Sequence, residues 1–253
     1  MNLNYKEFGN GEPILILHGL FGSLDNWQTI AKQLATDNRV FIIDQRNHGR
    51  SSHSTEHSYE LMAEDLGKFC LSLNLEKVTV IGHSMGGKTA MQFAIDNPAL
   101  CQQFISMDMA PKAYGSGHDL VFEALMGLDM DSLGSRKEAE SEIAHSIVDP
   151  GVLLFLLKNL SRKPDGTFEW KMNLQSLYDN YPEITKAIES DFPVSIPCLF
   201  VKGANSEYIT ADDEDEVLNL FPLAEFVEVT NAGHWVHTEN PEQLIKVIRD
   251  FIS

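Results

Sequence analysis

Positive charge is scarce in this chain: 19 lysines and arginines stand against 37 aspartates and glutamates in 253 residues, a formal net charge of −18. That balance repels nucleic acid and anionic membrane surfaces, so nucleic-acid binding is not expected. It also argues against a strongly anionic substrate unless basic residues cluster locally; those near the motifs below are Arg46, Arg50, Lys88 and Lys112. Cysteine is nearly absent. Cys70, Cys101 and Cys198 are odd in number and widely spaced, without paired-thiol or metal-ligand spacing, which predicts reduced, partly buried thiols and no metal site. No apolar run approaches the length needed to cross a bilayer, so membrane insertion is not expected. The start, Met1-Asn2-Leu3-Asn4-Tyr5-Lys6-Glu7-Phe8, carries no apolar signal region, and a cytoplasmic protein is the expectation. Internal repeats and low-complexity segments are missing too.

The length suits one large α/β domain with an insertion. Leu3 to Phe8 alternates weakly and reads as an edge strand, and Gly9-Asn10-Gly11 as a turn. Pro13 to Leu17, Val40 to Ile43, Val78 to Ile81 and Phe104 to Met107 are apolar on both faces, the pattern of parallel strands covered by helices on both sides. Helical spacing separates them, with Trp27, Ile30, Ala31 and Leu34 on one face of the first segment and Leu61, Leu66, Phe69, Cys70 and Leu73 on the second. This alternation predicts a doubly wound, mostly parallel sheet. From Pro111 to Phe192 it stops, and the chain reads as helices without strand runs: Leu120–Leu128, Arg136–Ile147 and Val152–Leu160. Strand and helix alternate again at Pro197–Val201, Glu214–Leu220 and Ala224–Val229, and Asn240-Pro241 opens the final helix as cap and first-turn proline. Residues 1–110 and 193–253 are therefore expected to form one α/β core, and 111–192 a helical lid. Asp212 to Glu216 reads as a solvated helix start.

Chemistry concentrates at Val78 to Gly87. A β-branched run stops at Gly82, and helical spacing restarts beyond Ser84, so a serine with glycine two residues away on either side sits on a strand-to-helix turn with its hydroxyl exposed. A neutral hydroxyl needs a base. Among nine histidines, His234 in Asn231-Ala232-Gly233-His234-Trp235 lies in the loop between the last strand and the last helix, at the carboxyl edge of the sheet where Ser84 also lies. His237 is expected to face outward, and His83 to pack beneath the turn. An oxyanion needs two backbone donors. The Met85 amide is the first, and the loop His18-Gly19-Leu20-Phe21-Gly22 supplies the second, Leu20 with Phe21 as the alternative. His18 is expected to order that loop, with Gly19 allowing close backbone approach.

His18-Gly19, Asp44-Gln45-Arg46-Asn47-His48-Gly49-Arg50-Ser51, the Ser84 turn and Gly233-His234 resemble, in type and order over nearly the whole chain, the α/β-hydrolase superfamily. With Gly203-Ala204-Asn205-Ser206 and Asn231 to Trp235, the chain is similar more narrowly to the YbfF-type bacterial esterases and their mitochondrial relatives. Asp44, Arg46 and Ser51 are expected to hold a turn rather than to catalyse. The sequence departs from the superfamily at the acid. Three residues after Gly203, where that pattern holds aspartate, stands Ser206. The resemblance then implies Asp108, at the end of the preceding strand, as the orienting acid, with Ser206 as its companion or that of His234; Glu207 is the competing position. It further implies a serine hydrolase of carboxylic esters or thioesters of short to medium acyl length, acyl-CoA included, without a cofactor, as a monomer or homodimer. Phe122, Leu125, Met126, Leu153, Phe155, Leu156 and Tyr178 are candidates for the pocket lining. The frame also hosts carbon–carbon bond hydrolases and lyases, and a ligand receptor with a hydrolase-like pocket is the reading from another class.

Overall fold

The computed structural model describes residues 1–253. Five strands precede the insertion: β1 (Tyr5–Phe8), β2 (Glu12–Leu17), β3 (Asn38–Ile43), β4 (Val78–His83) and β5 (Cys101–Met107). Two lie within it, β6 (Leu160–Arg162) and β7 (Phe168–Trp170), and two follow, β8 (Cys198–Gly203) and β9 (Ala224–Val229). All but β6 and β7 form one sheet of order β1-β3-β2-β4-β5-β8-β9, parallel throughout except for β1, which pairs antiparallel with β3. The continuous apolar runs are explained by burial on both faces. Ile14, Ile16, Val40 and Ile42 point into one core and Leu15, Leu17, Phe41 and Val80 into the other. Each such side chain contributes about 1.5–3 kcal/mol on full burial.

The helices are α1 (Gln28–Leu34), α2 (Tyr59–Ser72), α3 (Met85–Asp96), α4 (Asp119–Met126), α5 (Arg136–Ile143), α6 (Pro150–Leu157), α7 (Leu174–Asp179), α8 (Tyr181–Thr185), α9 (Glu214–Leu220), α10 (Val236–Glu239) and α11 (Pro241–Ile252). No helix is long and apolar enough to cross a membrane. Cys70, Cys101 and Cys198 are free and buried.

The stretch between β5 and β8 departs from an all-helical reading, because β6 and β7 pair as an antiparallel hairpin there. Strands of three residues are too short for alternation to register beside the apolar α6. The available signal is the turn Pro164-Asp165-Gly166, where Gly166 takes a positive φ of 94° and Asp165 Oδ1 accepts from the Thr167 amide and hydroxyl. The two helices before it are also displaced: α5 ends at Ile143, four residues short of Ile147, and α6 starts on Pro150, capped by Asp149 Oδ1. The run Asp212–Glu216 is only partly solvated, since buried Asp213 pairs with Lys112 at 2.7 Å.

Candidate active site

Ser84 stands where β4 ends and α3 begins, with φ 53° and ψ −121°, a region that a residue with a Cβ occupies only under strain. Its flanking glycines make the turn possible. A Cβ on Gly82 would lie 2.0 Å from the Gly86 carbonyl oxygen, and one on Gly86 2.6 Å from that of Leu17. The Ser84 amide donates to the Met107 carbonyl at 3.0 Å, tying the turn to β5.

Parallel pairing brings the ends of β4, β5 and β8 and the loop after β9 to one edge. Asp108, fully buried at φ 51°, follows β5. His234 Nδ1–H donates to Asp108 Oδ2 at 2.7 Å, and His234 lines a cavity together with Ser84. The carboxylate also accepts from the Ser206 hydroxyl at 2.5 Å and the Gly203 amide at 3.1 Å. Of the alternatives for the Ser206 hydroxyl, its partner is Asp108. Glu207, one residue on, is exposed at the mouth of a cavity and makes no bond to His234.

The His18 loop approaches Ser84 because Gly19 has no side chain: a Cβ there would sit 3.1 Å from Ser84 Cβ. His18 holds the loop, with Nδ1–H donating to the Gly19 carbonyl at 2.8 Å and Nε2 accepting from the Gln45 amide at 3.0 Å. Both ring nitrogens are thereby occupied, and burial lowers its pKa. The Leu20 amide makes no backbone hydrogen bond, and Met85 opens α3, where amides lack intrahelical partners. Leu20, Ser84 and Met85 line one cavity together. Phe21, at φ 59°, lines a second cavity with Leu20 and Ser84.

Other residues sit differently from the sequence expectation. His237, expected to face outward, is buried and stacks on Trp27 with ring centroids 4.4 Å apart; burial holds its pKa down at about 3. Helix α10 turns it inward, and no periodicity is readable in four residues. His83 is buried beneath the turn, kept neutral by burial and by His234 and His237, and its Nε2–H donates to the His234 carbonyl at 2.7 Å. Asp44 accepts from the amides of Leu24 and Arg50, while Ser51 donates to the Asp44 carbonyl. Arg46 pairs with Asp65 and Lys112 with Asp213, both at 2.7 Å, so each of these cations already faces a carboxylate.

Two cavities meet at Ser84. One, about 250 Å³, is walled by Tyr59, Met109, Tyr114, Tyr181 and Ile184. The other, about 300 Å³, holds His234 and Trp235 and is roofed by Val121, Val152, Phe155 and Leu156. Of the lining candidates in the insertion, Phe155 and Leu156 face a cavity. Phe122, Leu125 and Leu153 are core, and Met126 and Tyr178 are exposed. Tyr208 and Tyr114 were not legible as site residues. Tyr208 stacks on the His234 ring at 3.9 Å and 20°, and the Tyr114 hydroxyl donates to the Tyr208 carbonyl at 2.8 Å. No motif marks either; their place follows from strand ends meeting.

A family model described as alpha/beta hydrolase fold matches residues 12–129. The chain is 35% identical over 245 residues to esterase YbfF of Escherichia coli, an alignment spanning 96% of this chain and 94% of that one. It is 36% identical over 248 residues to the sn-1-specific diacylglycerol lipase ABHD11 of Mus musculus, spanning 95% and 80%. Among solved structures, a marine microorganism esterase superposes with TM-score 0.97 at 43% identity, each chain covered to 99%.

Proposed function

The chain belongs to the α/β-hydrolase family, and from that premise we propose that it is a serine hydrolase of uncharged carboxylic esters, working through an acyl-enzyme on Ser84. The observation that carries this reading is the 2.7 Å bond from His234 Nδ1 to Asp108, beside the strained Ser84 turn. His234 Nε2 takes the Ser84 proton as Oγ attacks the ester carbonyl, and the buried Asp108 carboxylate holds the ring in the required tautomer and stabilises the imidazolium. The Leu20 and Met85 amides receive the oxyanion. His234 then protonates the leaving alcohol, and later draws a proton from the water that releases the acid.

Because the leaving oxygen must meet His234, the alcohol belongs in the cavity that holds His234 and Trp235, and the acyl chain in the one walled by Tyr59, Tyr114 and Tyr181. Cavities of about 250 and 300 Å³ lie at or below the low end of the roughly 300–1,000 Å³ of drug-sized sites, which supports a short to medium acyl group. The charge of the lining supports neutral esters over acyl-CoA. Its one lysine, Lys112, is already paired with Asp213, and Glu207 adds a carboxylate.

Fluorophosphonate labelling followed by peptide mapping tests the mechanism, with a single adduct on Ser84 expected; folded protein without that adduct would refute it. Turnover of aryl esters of two to eight carbons should exceed that of the matching acyl-CoAs by at least about tenfold in kcat/KM.

A further inference from the structure

Lys88 lies one helical turn beyond Ser84 on α3, and its side chain is fully buried without a carboxylate partner in hydrogen-bond range. The ammonium donates to the Lys186 carbonyl and lies 4.9 Å from the ring centroid of Tyr114 and 5.7 Å from that of Tyr59. A buried cation held only by a carbonyl and two aromatic faces is expensive to keep, and burial brings its pKa down to about 7 against a weak opposing pull from Glu216.

The carbonyl it reaches belongs to an unusual row. Helix α8 ends at Thr185, and the last carbonyls of a helix have no partner within it. Here the last two, and that of the C-cap residue Lys186, are satisfied from three separate segments of the chain. Ile184 accepts from the Tyr59 hydroxyl of α2 at 2.6 Å, Thr185 from the Tyr114 amide at 2.9 Å, and Lys186 from Lys88 of α3. Tyr59, Tyr114, Ile184 and Thr185 are walls of the smaller Ser84 cavity. The same Tyr114 bonds the Tyr208 carbonyl, and Tyr208 stacks on His234.

We propose that Lys88 is a positioning residue for acyl recognition: its ammonium clamps the carbonyl end of α8 onto the nucleophile helix, and so sets the spacing of the cavity walls that receive the acyl chain. This rests on the esterase reading above. Lys88 touches neither cavity, so it acts through Tyr114 and the 184–186 backbone, and its effect grows with the length of acyl chain that the walls must grip.

The test compares acetyl and octanoyl p-nitrophenyl esters in Lys88→Met, which keeps the stem and removes the ammonium. KM for the octanoyl ester should rise about tenfold, with KM for the acetyl ester moving less than about twofold and the fluorophosphonate labelling rate of Ser84 retained. Lys88→Arg should restore most of the octanoyl KM. Should Lys88→Met not fold, Tyr59→Phe removes the neighbouring clasp on Ile184 and should raise the octanoyl-to-acetyl KM ratio about threefold. A KM ratio unchanged in the folded variants, or an equal loss on both esters with falling melting temperature, overturns the clamp and leaves Lys88 as core. Failure of wild-type Ser84 to label refutes the esterase reading instead, so the two failures are distinguishable.

Discussion

The two halves of the site are held by different physics. On the sheet side, Ser84, Asp108 and His234 are placed by main chain: strand register, glycines whose missing Cβ atoms permit close contacts, and left-handed φ values at Ser84 and Asp108. On the insertion side, the walls are placed by side-chain clasps, such as Asn159 Nδ2 on the Phe21 carbonyl at 2.7 Å and Lys88 on Lys186. Within residues 111–192, positive φ occurs only at Gly166, in the tip of the β6–β7 hairpin, and Gly166 lines neither cavity. Strained backbone fixes reacting atoms to a fraction of an ångström, as bond-making requires. Side-chain clasps define a volume, which is sufficient to select a substrate. Substitutions on the sheet side should therefore strike kcat, and those on the insertion side KM.

Asp108→Asn gives the sharpest break: it keeps the shape and removes the charge behind His234, and kcat should fall about 10⁴-fold with KM little changed. A loss below tenfold in folded protein would move the acid elsewhere, to Glu207 first.

Acid should dismantle the sheet side through its buried neutral histidines. Burial holds His57 and His237 at about 3, well below the unfolded value near 6.5, so between these limits the unfolded chain binds more protons than the native one. The stability they contribute is complete above pH 6.5 and is lost as pH falls towards 3, by about 1.4 kcal/mol per pH unit for each histidine. Melting temperature should be steady from pH 7 to 8 and drop steeply below pH 6; a flat profile down to pH 5 would contradict this.

Phe155→Ala tests the other half. The ring packs on Trp235 with centroids 4.4 Å apart and lines the cavity that holds His234, and on the proposed placement of the alcohol there its loss should raise KM about tenfold for bulky alcohols with kcat nearly unchanged. The smallest effect is expected for Ser206→Ala. It deletes one of three bonds to Asp108, and steady-state kinetics should show kcat lowered about three- to tenfold. A KM effect without a kcat effect would place Ser206 with the insertion side.

Much of the sheet side was legible beforehand because its devices are local. Gly82 and Gly86 around Ser84 announce a tight turn, Gly233 before His234 announces a loop at the same edge, and runs such as Ile14–Leu17 announce a doubly covered strand. The inward turn of His237 and the roles of Tyr114, Tyr208 and Lys88 were not, since each depends on a partner distant in sequence, and the β6–β7 hairpin was not because its three-residue strands are too short to show alternation.

The sequence by itself determined the α/β architecture and the order in which serine, acid and histidine arrive at one edge, since hydrophobic period and turn chemistry are written within a few residues. Only the tertiary structure decided what surrounds them: which oxygen of Asp108 meets His234, that the Ser206 hydroxyl bonds the acid, and that a lysine within α3 is buried against the end of α8. Those contacts span roughly 100 residues of chain or more, and close packing alone brings them within bonding distance.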